Sequence, residues 1–225
     1  RTPHSFSAML ERWIQAVMTD DARGENPSAS RSRLKGRFPA GATRRMTTLG
    51  MIAGAALAEL GPREDDAVVY ASGYAESCAL EGFLDSFPTP SPTLFQTSIH
   101  PSAVQQVMIG RQGPVREFLP HSGGRLIAFQ ALRAALLSPA PRVILCGGEE
   151  RGTWLLEHGL ASDRTFGFAA SLSRERAADG AGRVRLARGD GDGELGLASF
   201  FDLLHGRTAF HGFVAPGWRL DLEWL

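Results

Sequence analysis

Residues 47–72 read TTLGMIAGAALAELGPREDDAVVYAS. The first part, Thr47 to Leu60, is almost entirely small and apolar. Its many Gly and Ala positions predict a buried helix that lets another backbone approach closely. Gly61-Pro62 stops it, because proline cannot continue the hydrogen-bond ladder. Ala67-Val68-Val69-Tyr70-Ala71-Ser72 then forms a continuous apolar run too short for a helix. Such a run is the mark of a strand buried on both faces.

The same alternation extends outward in both directions. Upstream, Phe6, Met9, Leu10, Trp13, Ile14 and Val17 recur at helical spacing and predict an amphipathic helix over Phe6 to Met18. Asp20 to Arg37, polar and bearing Gly24 and Pro27, reads as a long loop. Downstream, Glu76 to Phe87 reads as a helix with Leu80, Phe83, Leu84 and Phe87 on one side. A proline-rich loop, Pro88 to Pro92, and a short helix, Ser102 to Ile109, come next. Gly113-Pro114 is a turn, Val115 to Leu119 a strand, and Gly123 to Leu137 a helix with a wide apolar face. Arg142 to Cys146 reads as a buried strand ended by Gly147-Gly148. Phe166 to Leu172 and Val184 to Ala187 read as a strand pair, and Gly189 to Gly193 as a flexible linker. Ser199 to His205 reads as a short helix and Trp218 to Trp224 as a closing strand. Helices alternating with apolar strands indicate a layered α/β fold, with residues 1–225 expected as a single domain.

Charge narrows the function. Lys+Arg and Asp+Glu both number 24, so the net charge is zero and nothing advertises a nucleic-acid surface. The stretch Leu49 to Leu60 is too short to span a bilayer. Arg1 to Phe6 carries no apolar signal core, so a cytoplasmic location is expected. Cys78 and Cys146 lie in separate apolar segments, as reduced, buried thiols do.

Short catalytic motifs are missing. The chain has no phosphate-binding Gly-rich run ending in Lys-Ser or Lys-Thr, and Lys35 is its only lysine. The six histidines form no metal-type pair, so neither a metal nor a cofactor is expected. Gly189-Asp190-Gly191-Asp192-Gly193 lacks the downstream spacing of a calcium loop. Ser122, in Pro120-His121-Ser122-Gly123-Gly124, follows a predicted strand and precedes a predicted helix. It can be read as a nucleophile at a helix N-terminus or as a helix N-cap; Pro120, where a nucleophile elbow has Gly, favours the cap.

Several blocks, taken in order, resemble the β-ketoacyl synthases. Arg44-Arg45-Met46 resembles the basic run before an early helix of that family. Val68 to Gly73 with Glu76 resembles its second block, and Ser91-Pro92-Thr93-Leu94-Phe95-Gln96-Thr97-Ser98-Ile99-His100 resembles a segment of a shortened synthase-like branch. Gly113-Pro114, a strand and Ser122-Gly123-Gly124 resemble the passage to the nucleophile; Val143 to Glu150 resembles the strand ending in Gly-Gly and an acid. The resemblance covers roughly residues 31 to 175 and implies a thiolase-like (half-thiolase) fold, a mixed sheet covered by helices.

The departures are chemical. Ser122 stands near the position where the family has its cysteine nucleophile. The catalytic histidines, or His and Asn, come from a second half without counterpart here, and Pro101 follows His100 where the branch has Asn. Condensation needs a thiolate and donors for the developing oxyanion. The resemblance therefore implies a non-catalytic chain-length factor paired with an active ketosynthase, as in aryl-polyene, polyketide or fatty-acid-type systems. It implies a dimer strand at Val115, Arg116, Glu117, Phe118 and Leu119, and a tunnel lining at Leu80, Phe83, Leu84 and Phe87. Acyl carrier protein is a further expected partner; nucleic acid and membrane are not. Two alternatives stand beside this: an acyltransferase or hydrolase using Ser122 with His100 or His158, and a scaffold for carrier docking.

Overall fold

The structure, a computed structural model, describes residues 9–39 and 41–225. In chain order its elements are β1 (Leu10–Asp21), α1 (Pro27–Leu34), α2 (Thr48–Glu59), β2 (Ala67–Ser72), α3 (Ser77–Leu84) and α4 (Pro92–Thr97). Then come α5 (Ser102–Arg111), β3 (Glu117–Ser122), α6 (Ile127–Leu137), β4 (Arg142–Glu149) and α7 (Trp154–Glu157). The chain continues with β5 (Phe166–Ser173), β6 (Gly182–Arg188), α8 (Leu197–His205), β7 (Phe210–Ala215) and β8 (Trp218–Trp224). One mixed sheet takes up all eight strands in the order β3-β2-β4-β5-β1-β6-β8-β7. The pairs β3-β2 and β2-β4 are parallel, and the other five are antiparallel.

Alternating side chains give the sheet two apolar layers. On one face Val69, Leu145, Phe166, Phe168, Val184 and Leu220 pack under α6 and α8. On the other, Val68, Tyr70, Ile144 and Ala169 pack under α2 and α5. Helix α2 is the inner helix of that second layer, with ten buried residues and a side-chain cap from Thr47 to the Gly50 amide. Its small residues are a steric requirement: a Cβ on Gly167 of β5 would lie 2.9 Å from the Ala53 backbone nitrogen. Beyond β1 the second face carries no helix among the described residues. There β6 and β8 present cross-strand ion pairs instead, Arg183 with Glu223 at 2.6 Å and Arg185 with Asp221 at 3.0 Å. The parallel strands β2 and β4 are covered on both sides, while the antiparallel extension meets water on one. Among the described residues no helix is long and apolar enough to cross a membrane.

Several expectations are corrected. Phe6 to Met18 is not a helix: residues 10–21 form β1, and Phe6 lies outside the described residues. The cause is a register shift between Ile14 and Ala16, which leaves Gln15 as an extra residue. Leu10 and Ile14 before the bulge and Val17 after it pack on the same core, while Ala16 and Met18 pack on the other. A strand with a bulge thereby imitates helical spacing. Asp20 to Arg37 is not one loop, because Asn26 caps α1 through the Ala29 amide and Pro27 opens it. Strand β4 runs on through Gly147 and Gly148 to Glu149. Those glycines sit where a Cβ would meet the Ala71 and Phe166 carbonyls at 2.2 and 2.3 Å. Strands β5 and β6 do not pair with each other; β1 lies between them. Strand β3 lies two residues later than Val115 to Leu119, and α6 begins at Ile127 rather than Gly123.

Candidate functional site

Parallel strands β2 and β4 end side by side, and four carboxylates gather around those ends. Glu149, the last residue of β4, accepts from the Gly73 amide at 2.6 Å, the Ser72 hydroxyl at 3.2 Å and the Tyr74 amide at 3.4 Å. Glu150 accepts from the Leu49 amide at 3.0 Å, at the start of α2. Glu76 accepts from the Ala103 amide at 2.9 Å, in the first turn of α5. Glu81 accepts from the Thr153 and Leu155 amides, both at 2.9 Å, at the start of α7. The acids thus satisfy backbone donors left over at turns and helix starts. Burial pushes the Glu76 carboxyl up to about 8 and the Glu149 carboxyl up to about 7. Glu150 is also raised by burial. Glu76, Glu149 and Glu150 stand in the blocks that carry the family resemblance, which gives them no such role; polar residues beside apolar strands are the available signal.

Next to Glu149 a cleft of about 390 Å³ opens between Gly73 and Tyr74 on one side and Gly124, Arg125 and the start of α8 on the other. Arg125 lies 3.5 Å from Glu194 at this cleft. Ser122 stands just before it as the last residue of β3, opposite Ser72. Its side chain is exposed, and four residues separate it from α6. The expected helix cap is therefore corrected: Gly123 and Gly124, with φ of 78° and 81°, form a turn that detaches the serine from the helix start. Among the described residues no hydrogen bond joins Ser122 to a histidine. His100 is stacked on Tyr70 with ring centroids 5.4 Å apart, and His158 lies exposed after α7.

The expected tunnel residues lie together on the outside of the protein, Leu80, Phe83 and Leu84 on α3 and Phe87 just after it. Leu80, Leu84 and Phe87 are exposed, and Phe87 retains 56% of its surface. Phe83 sits between Phe87, at 5.5 Å, and Phe95, at 5.3 Å. Leu94, Phe95 and Ile99 from α4 and the turn after it extend the same apolar surface. These residues are not core, which is where residues of this kind belong on composition alone. Of the expected interface residues, Glu117, Phe118 and Leu119 lie in β3, whereas Val115 and Arg116 precede it. Strand β3 is one edge of the sheet, and among the described residues it pairs with β2 alone, so no described residue pairs with its outer side.

No protein-family model matches the sequence, and no curated protein sequence matches it. Solved structures do. A ketosynthase (ApeO) in complex with its chain length factor (ApeC), from Xenorhabdus doucetiae, includes a chain that superposes with a TM-score of 0.71 at 17% identity. The match covers 95% of this chain and 99% of that one. The ishigamide ketosynthase/chain length factor gives a TM-score of 0.53 at 13% identity, over 80% of this chain and 65% of that one. Likeness at these identities is likeness of fold, and the mixed sheet with its two helical layers has the thiolase-like fold of the ketosynthases and chain length factors.

Proposed function

We propose that the chain is a non-catalytic, ketosynthase-like subunit of the chain-length-factor type. In this reading it pairs with an active β-ketoacyl-carrier-protein synthase and forms part of the wall of that enzyme's acyl tunnel. The observation that supports it best is that a chain of this fold leaves two surfaces open together, the outer edge of β3 and the apolar face of α3 and α4. A free edge offers backbone donors and acceptors to a partner's strand. Val115 to Leu119 would enter that contact, with Arg116 and Glu117 setting register. An exposed apolar surface of several large side chains is a mark of an interface or a ligand groove. Leu80, Phe83, Leu84 and Phe87 would set how far the growing chain can extend. A serine at 122 agrees with a dead subunit, since an unassisted hydroxyl holds its proton far more tightly than a thiol and makes a poor nucleophile. The substrate would be a polyketide, aryl-polyene or fatty-acid-type chain on an acyl carrier protein, in the cytoplasm.

Co-expression with a ketosynthase is expected to yield a stable one-to-one complex by light scattering. Phe83→Trp or Leu84→Trp should shorten the product of that complex, and Phe83→Ala should lengthen it. An unchanged product distribution from an intact complex refutes the length-setting role. Ser122→Ala should leave product formation unchanged; its loss would instead favour acyl transfer by this serine.

A further inference from the structure

Tyr70 and Glu76, both buried, and the half-buried His100 carry side-chain atoms left without a hydrogen-bond partner among the described residues. The Tyr70 hydroxyl, Glu76 Oε2 and both ring nitrogens of His100 are sealed from solvent and without a hydrogen-bond partner among the described residues. They come from different parts of the chain: Tyr70 from the middle of β2, Glu76 from the residue before α3, His100 from the connection between α4 and α5. The His100 ring stacks on Tyr70 at 5.4 Å. Burial, and after it the nearby Glu76 carboxyl, pushes the Tyr70 hydroxyl's pKa well up. Glu76 Oε1 is taken by the Ala103 amide, three residues beyond His100, which leaves Oε2 over. Ser72 lies on the same side of β2 and lowers the Tyr70 pKa slightly, but its hydroxyl donates to Glu149 and makes no hydrogen bond of good geometry with the Tyr70 hydroxyl.

Each such group left unbonded is destabilising, because the hydrogen bonds it made to water in the unfolded chain are not replaced. Native proteins relieve clusters of this kind with ordered water, where the pocket is polar and offers two to four partners. The chemistry of this set suits water. A phenol donates, a protonated carboxyl both donates and accepts, and so does a neutral imidazole. Burial lowers the His100 pKa and so favours that neutral form. A cation is disfavoured, since among the described residues no group of three His, Cys, Asp or Glu is arranged to hold a metal ion. We propose that Tyr70, Glu76 and His100 enclose a buried hydration site, in which at least one ordered water bridges β2, the start of α3 and the α4–α5 connection. The proposal does not depend on the pairing with a ketosynthase. It means that the start of α3 and the α4–α5 connection are tied to β2 by a solvent molecule as well as by packing.

A high-resolution crystal structure, of the chain alone or with its partner, is expected to show a water about 2.7–3.2 Å from Tyr70 Oη and from Glu76 Oε2 or a His100 nitrogen. A dry gap, a metal ion, or direct hydrogen bonds among the three side chains would overturn the proposal. In solution, oxygen-17 relaxation dispersion should count at least one fewer long-lived internal water in Tyr70→Phe than in the wild type. An unchanged count in a folded variant is equally fatal to it. Should that variant not fold, the wild-type density decides alone.

Discussion

Glu76 and Glu149 have no compensating cation in hydrogen-bond contact, and their raised pKa values make stability depend on pH. Glu76 is faced by Glu149 and Glu150 from the end of β4, by Cys78 from α3 and by Tyr70 from β2; Arg31 acts on Glu150. In the unfolded chain both carboxyls ionise near 4.5, whereas in the folded protein they hold their protons to about 8 and about 7. The folded state therefore binds more protons between those values, and stability falls as pH rises through that window. Glu76→Gln keeps the acceptor for the Ala103 amide but removes the ionisation. Urea unfolding of this variant should match the wild type near pH 4.5. It should exceed the wild type by up to about 1.4 kcal/mol for each pH unit above that, levelling off beyond about 8. A parallel pair of curves would show that Glu76 is not a buried acid. Arg12 poses the opposite case. Its side chain is buried, and its guanidinium donates to the Ser138, Ala140 and Pro141 carbonyls. Burial, and then Arg174, pushes its pKa down to about 10. Arg12→Ala should cost at least about 1.5–3 kcal/mol, because carbonyls at the end of α6 lose a charged donor.

At the level of elements, glycines decide how closely the strands and helices approach. Gly148 of β4 lies where a methyl group would meet the Phe166 carbonyl at 2.3 Å and the Leu49 side chain at 3.0 Å. Gly148→Ala should therefore lower stability by roughly 1–3 kcal/mol or prevent folding, read from the urea midpoint. Asn26→Ala removes the cap of α1 and should cost about 1 kcal/mol, a smaller loss because α1 is short and mostly exposed. Both features were visible as residue types, but their meaning was not. Gly147-Gly148 reads as a strand end until the neighbouring carbonyls are in place. Asn26-Pro27 is a helix start signal that a polar, Ser-rich stretch conceals. Strand β1 is the plainest case, since its bulge converts alternation into the spacing of a helix.

At the scale of the molecule, the described residues form a sheet with two edges and leave the apolar surface of α3 and α4 uncovered. The outer strand β7 carries a register shift between Phe213 and Ala215, which makes it a poor template for another strand. Strand β3 is regular along its pairing with β2, interrupted only by the missing donor of Pro120. A neutral chain with exposed Phe87 and Phe95 has little charge repulsion to keep copies apart. Expressed alone it should self-associate, and Phe87→Ser with Phe95→Ser should shift sedimentation toward monomer without lowering the unfolding midpoint. If the double variant associates as the wild type does, this face is not what drives assembly.

By itself the sequence determined the alternation of helix and strand, the position of β2, α2 and β8, and the neutral charge. These follow from breakers, caps and apolar runs that act within a few residues. Tertiary structure alone decided that β1 enters the sheet between β5 and β6, that four acids cap amides far from them in sequence, and that Leu80, Leu84 and Phe87 face outward. Strand neighbours and burial arise from contacts between residues tens of positions apart. Local periodicity carries no record of which partner each face will meet.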